Sequence, residues 1–149
     1  MTDRYGAMYG PDITFLGVDR CSWEEVPADA EVVILGAPFD GGTSHRPGTR
    51  FGPQYIRQTC YLPHDGSRPS LALRVDGLQG DLTVYDAGDV EMFSGDAERS
   101  VRDLQRAVHT VTAAGAIPLV LGGDHTIAFR QPPGSPAHDI GAAARPGFA

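Results

Sequence analysis

Leu119-Val120-Leu121 runs directly into Gly122-Gly123-Asp124-His125-Thr126, so an aliphatic stretch ends in two glycines, a carboxylate and an imidazole. Such a run reads as a buried strand that must turn sharply where it stops. Ligand sites in open α/β sheets lie beyond the carboxyl ends of the strands, which puts Asp124 and His125 where chemistry is expected. His125, after Gly122-Gly123-Asp124, is therefore a candidate metal ligand. The competing reading is a loop histidine hydrogen-bonded to backbone.

Two further groups carry chemistry. The segment Ala37-Pro38-Phe39-Asp40-Gly41-Gly42-Thr43-Ser44-His45-Arg46-Pro47-Gly48-Thr49-Arg50-Phe51-Gly52-Pro53 is long for a loop in a compact domain, and such loops are usually functional. Asp40, Arg46 and Arg50 make it either a substrate or anion cradle or a rigid turn whose guanidinium forks pair with carboxylates of the same or an adjacent subunit. The glycine spacing matches neither the P-loop nor the dinucleotide fingerprint, which favours the rigid turn. Asp86 and Asp89 form the third group. They could bind a cation, but pairing with the loop arginines or capping of local backbone is the reading that aspartates near turns favour.

The elements that must position these groups follow from periodicity. Glu31 to Gly36 is a continuous apolar run, a strand covered on both faces. Pro53 to Cys60 has Tyr55, Ile56 and Cys60 at helical spacing and predicts a short amphipathic helix. Asp81 to Val90 predicts a second strand with its exit loop, and Leu71 to Val75 a further possible strand. Asp96 to Ala114 is the clearest helix, with Asp96 as N-cap, Glu98 in the first turn, a stripe of Val101, Leu104, Val108 and Val111, and Gly115 as the stop. Ala116 to Leu121 is the third strand. Strand, helix, strand, helix, strand implies right-handed crossovers and a parallel sheet. Met1 to Ala30 has no sustained pattern and reads as an arm that packs on this domain or on a neighbouring subunit.

The chain has 149 residues, 41% hydrophobic and 21% charged, enough for one domain with a real core. A net charge of −7 argues against a nucleic-acid partner, which needs a basic surface, and suits a small cationic substrate. All twelve basic residues are Arg, as expected of a GC-rich gene. Cys21 and Cys60 sit in no metal or redox motif and read as unpaired thiols. With no apolar run of membrane-spanning length and no signal-peptide pattern, a cytoplasmic protein with no membrane partner is expected.

The loop from Gly36 to Pro53 followed by Ile56-Arg57, the segment Asp86-Ala87-Gly88-Asp89-Val90, and Gly122-Gly123-Asp124-His125-Thr126 together resemble the ureohydrolases, the arginase and agmatinase family. They occur in the family's order over Glu31 to Phe129, closer to the agmatinase-like branch, which includes hydrolases of guanidinobutyrate, guanidinopropionate and proclavaminate. The resemblance implies a three-layer α/β/α fold with a parallel sheet, a homo-oligomer, and a site of two Mn²⁺ ions whose bridging hydroxide hydrolyses a guanidino compound to urea and an amine. It makes His125 one ligand of the first metal, with Asp124 orienting the turn.

The family's later ligand motifs, D-A-H-x-D and S-x-D-x-D, do not occur in this sequence. No catalytic residue is identified, and one histidine does not hold a manganese pair. Beyond Phe129 the Pro, Gly and Ala mixture is expected to be disordered, an aberrant tail left by a frameshift or truncation. His138 and Asp139 within it follow no strand and carry no ligand spacing. The expected organisation is an arm (1–30), the N-terminal portion of a ureohydrolase domain (31–129) and the tail (130–149), with the chain inactive by itself. The alternative is a non-catalytic fragment serving as a binding or oligomerisation module through the Arg46 to Pro53 loop.

Overall fold

A computed structural model of the chain describes residues 13–60 and 82–128. Among the described residues four strands form one parallel sheet: β1 (Asp19–Arg20), β2 (Val32–Ala37), β3 (Val84–Asp89) and β4 (Ile117–Gly122), in the order β1-β3-β2-β4. Helix α1 (Gly52–Cys60) connects towards β3, and α2 (Ala97–Ala113) links β3 to β4. The expected alternation of strands and helices is present, and the possible strand at Leu71 to Val75 lies outside the described residues, as does the tail 130–149. No helix among the described residues is long and apolar enough to cross a membrane.

The sheet separates two layers. Alternate residues of β2 point to opposite faces. Val33, Leu35 and Ala37 join Leu104, Ala107 and Val111 of α2 in the main core, while Ile34 packs with Val84 and Leu121 on the other face. α2 follows its expected pattern closely: Asp96 accepts from the Arg99 amide at 2.9 Å, and Gly115 takes the left-handed φ of 91° that stops the helix. Val108, expected in the stripe, is only partly buried, with Ala107 and Ser100 taking the deeper positions.

Residues 13–30, expected as an arm packing on this domain or on a neighbouring subunit, pack on this domain, with Cys21, Trp23, Val26 and Ala30 against the main core. A 3-10 turn (Phe15–Gly17) leads into β1, which pairs with β3 through Asp19 opposite Tyr85 and Arg20 opposite Asp86. Two exposed residues leave no apolar periodicity to read, because a strand this short is specified by its partner rather than by its own side chains. Cys21, just after it, is a free thiol, as expected; burial and the nearby Asp86 charge push its pKa up to about 11.

The larger correction concerns α1. Tyr55 and Ile56, expected on its buried face, are 65% and 37% exposed, and the buried residues are Pro53 and Arg57. Arg57 is fully buried. Its Nε donates to Asp86 Oδ2 at 2.8 Å, its Nη2 to Asp86 Oδ1 at 2.9 Å and to the Gly88 carbonyl at 3.1 Å, and its Nη1 to Asp89 Oδ1 at 2.6 Å. The partners expected for these aspartates, Arg46 and Arg50, are not the ones used. Backbone capping does occur: Asp86 accepts from the amides of Gly88 at 2.9 Å and Phe15 at 2.8 Å. α1 therefore docks by a bidentate ion pair in place of an apolar stripe.

The pair also fixes a local irregularity. Register between β2 and β3 shifts between Ile34 and Gly36, and Gly88 has φ 73°. A Cβ at Gly36 would overlap Asp89 Oδ1, so the carboxylate occupies the space that a side chain there would need. Removing one member of such a network strands the others as uncompensated buried charges. Arg57→Ala is expected to cost about 3–5 kcal/mol in urea denaturation, against about 0.5 kcal/mol or less for the exposed Arg102→Ala. Equal losses for the two variants would show that the buried network does not hold the fold.

Candidate metal-ligand turn at the end of β4

The apolar run of β4 ends at Gly122, and a 3-10 turn (His125–Ala128) begins three residues later. Gly123 and Asp124 in between bring this turn against the loop that follows β2. The Gly123 amide donates to the Ala37 carbonyl at 3.0 Å and the Asp124 amide to the Phe39 carbonyl at 2.7 Å. A Cβ on Gly123 would overlap the Phe39 backbone, so glycine is required for two main chains to approach this closely.

The Asp124 carboxylate closes the same junction. Oδ2 accepts from the Gly42 amide at 2.8 Å and from Thr43 Oγ1 at 3.4 Å, and Oδ1 accepts from the Thr126 amide at 2.8 Å. Burial pushes its pKa up, but the hydrogen bonds from Thr126, Gly42 and Thr43 outweigh that and hold it below the usual carboxylate value. Asp124 thus acts on the backbone of both segments. His125, next in the chain, is exposed.

Loop 38–52 has its own clamp. Asp40 is buried and accepts from the Gly48 amide at 2.7 Å and Arg50 Nε at 2.8 Å, with Arg50 Nη2 2.5 Å from Oδ1. The Arg50 guanidinium is the main cause that holds the Asp40 carboxyl below its ordinary range. Of the two loop arginines, Arg50 thus pairs within its own chain as the rigid-turn reading requires, whereas Arg46 is exposed. Beside the clamp lies a cleft of about 80 Å³ lined by Pro38, Phe39, Asp40, Arg50, Met92 and Ser94. That is small beside the roughly 300 Å³ and more of a typical ligand site.

The metal-binding capacity is correspondingly limited. Among the described residues, no group of three or more His, Cys, Asp or Glu side chains converges to hold a metal ion. Asp40, Asp86 and Asp89 are neutralised by arginines and Asp124 by backbone amides, while the imidazole of His125 is exposed at the end of β4. These residues do not by themselves fit a two-metal site. Sequence reasoning missed Arg57 and the Phe39 backbone as the parts that hold the turn. Two aspartates on an otherwise apolar strand were the available signal for a buried cation.

Comparison with known proteins places this junction in context. The Arginase family model matches residues 30–137. The chain belongs to the arginase family. It is 36% identical to the human mitochondrial guanidino acid hydrolase over 129 residues, covering 80% of this chain and 34% of that protein. It is 38% identical to the proclavaminate amidinohydrolase of Streptomyces clavuligerus over 108 residues, covering 72% of this chain and 33% of that one. The solved structure of the latter aligns with a TM-score of 0.66 over 80% of this chain and 38% of its own. The agmatine ureohydrolase of Thermoplasma volcanium aligns with a TM-score of 0.62 at 27% identity, over 81% and 37%. The chain thus spans about a third of the length of the relatives it matches, and the expected α/β fold with a parallel sheet agrees with these structures.

Two outcomes follow from the junction. Gly123→Ala is expected to destabilise the chain by about 1–3 kcal/mol through overpacking and to speed exchange of the Asp124 amide; unchanged exchange would refute the close approach. Asp40 has a folded pKa below its unfolded one, so its contribution is complete above about pH 4 and is lost as pH falls through the folded value. Asp40→Asn should lower the urea midpoint at pH 7 and flatten its decline between pH 4 and pH 3. A decline as steep as in the parent chain would contradict this.

Proposed function

We propose that this chain carries the His125-bearing part of a ureohydrolase site, in which a guanidino compound of the agmatine or guanidino-acid class is hydrolysed to urea and an amine, and that its 149 residues alone do not sustain turnover. The observation that supports this reading is the junction of β4 with the loop after β2. The amides of Gly123 and Asp124 bond to the Ala37 and Phe39 carbonyls and the Asp124 carboxylate to the Gly42 amide and the Thr43 hydroxyl, and their effect is to hold an exposed imidazole at the carboxyl end of a parallel strand. In the family the chemistry is supplied by two Mn²⁺ ions, and His125 is the residue of this chain proposed to ligate the first. Metal-ion hydrolysis of this kind needs several protein ligands to fix the ion and its coordination geometry, and among the described residues no group of three or more such side chains converges.

The acidic balance of the chain, with a net charge of −7, favours a cationic guanidino substrate over an anionic one. A cytoplasmic location and assembly into a homo-oligomer remain part of the proposal. The second reading is a non-catalytic module that binds other chains through the Arg46 to Pro53 loop, in which Arg46 is exposed.

Adding Mn²⁺ to the chain and assaying agmatine and guanidinobutyrate separates these readings. The expected result is urea release at the uncatalysed rate and an electron paramagnetic resonance spectrum without the signature of a coupled manganese pair. Urea turnover that His125→Ala abolishes would overturn the proposal that the chain is inactive alone, while supporting His125 as a ligand.

A further inference from the structure

The turn that leads into β1 is strained. Leu16 is the one non-glycine residue with positive φ among the described residues, at 53° with ψ 20°, and Gly17 follows at φ 72°. A leucine in the left-handed region is disfavoured by its Cβ and persists only where its surroundings over-determine it. Here those surroundings can be named. The Phe15 amide donates to Asp86 Oδ2 at 2.8 Å, Phe15 and Val18 pack on the cluster of Ile34, Val84 and Leu121, and the turn lies against α1. Beyond it β1 pairs with β3, and the Cys21 amide donates to the Asp86 carbonyl at 3.2 Å.

The oxygen that receives the Phe15 amide also receives Arg57 Nε, likewise at 2.8 Å. The other oxygen receives Arg57 Nη2 and the Gly88 amide, each at 2.9 Å. These bonds fill the roughly four acceptor positions of a carboxylate, so one group holds both the strained turn and α1. Detaching the turn removes a donor from Asp86 Oδ2 and opens the ion pair to water on that side, where such a pair is worth little. α1 reaches the site at its other end. A Cβ on Gly52, its first residue, would overlap the Gly122 carbonyl at the end of β4, so the two main chains meet one residue before Gly123.

We propose that residues 13–21 form a strap whose docking sets how firmly α1 is seated and, through Gly52, how rigidly the turn bearing His125 is held. With the strap docked, Asp86 is saturated and α1 is fixed. With the strap released, Leu16 relaxes, α1 loses part of its anchor, and the Gly122 end of the turn loses its neighbour. The stored strain poises the docked state to open. The role of that turn in a ureohydrolase site rests on the preceding reading; the coupling is read from amide exchange and needs no turnover, so either can fail without the other.

Hydrogen exchange of the full chain, followed amide by amide, tests this. Gly17→Ala places a Cβ on a residue with φ 72° and loosens the strap without touching the ion pair. Exchange at Phe15 and Cys21 is expected to speed up about fivefold or more, and exchange at the Arg57 and Gly123 amides by a comparable factor. The Val111 amide of α2, in the core on the opposite face of the sheet, should be unchanged. Val18→Ala, which trims the strap's apolar contact, is read in the same way and serves if Gly17→Ala does not fold. Faster exchange of the strap with Arg57 and Gly123 unchanged would overturn the coupling. So would an equal rise at Val111, which marks loss of the whole fold, or no change at Phe15 in either variant.

Discussion

Arg57 is the constraint on which the rest depends. A guanidinium with no exposed surface, forked onto Asp86 and bonded to Asp89 and the Gly88 carbonyl, is tolerable inside a protein only if every one of its donors is answered. The answer requires α1 to lie at one position over β3, and it requires Gly36 of β2 to have no side chain where Asp89 stands. A helix held by an apolar stripe can slide by a fraction of a turn at small cost. One held by a bidentate ion pair cannot, so the group also fixes where β2 ends.

From the end of β2 the constraint passes to the functional turn. Phe39 lies two residues beyond the strand, and its backbone receives the Asp124 amide and abuts Gly123. Asp40, next in sequence, is clamped by Arg50 and the Gly48 amide, which holds the remainder of the loop in place for Asp124 to grip at Gly42 and Thr43. Each carboxylate in this region is thus committed to shape. His125 is presented by them and takes no part in the clamping.

The elements whose specification is local were legible in the sequence. α2 has a cap, a stripe and a stop, and β2 and β4 have unbroken apolar runs, so their type and order could be read from composition and period. α1 could be placed but not oriented, because hydrophobic periodicity assumes that the buried face is the apolar one, and Arg57 reverses that assumption. β1 was illegible, since two polar residues become a strand only by lying beside Tyr85 and Asp86. At the site, Gly123-Asp124-His125 could be picked out by its position after a strand. That Asp124 serves the backbone of a loop some eighty residues earlier is a tertiary fact with no local trace.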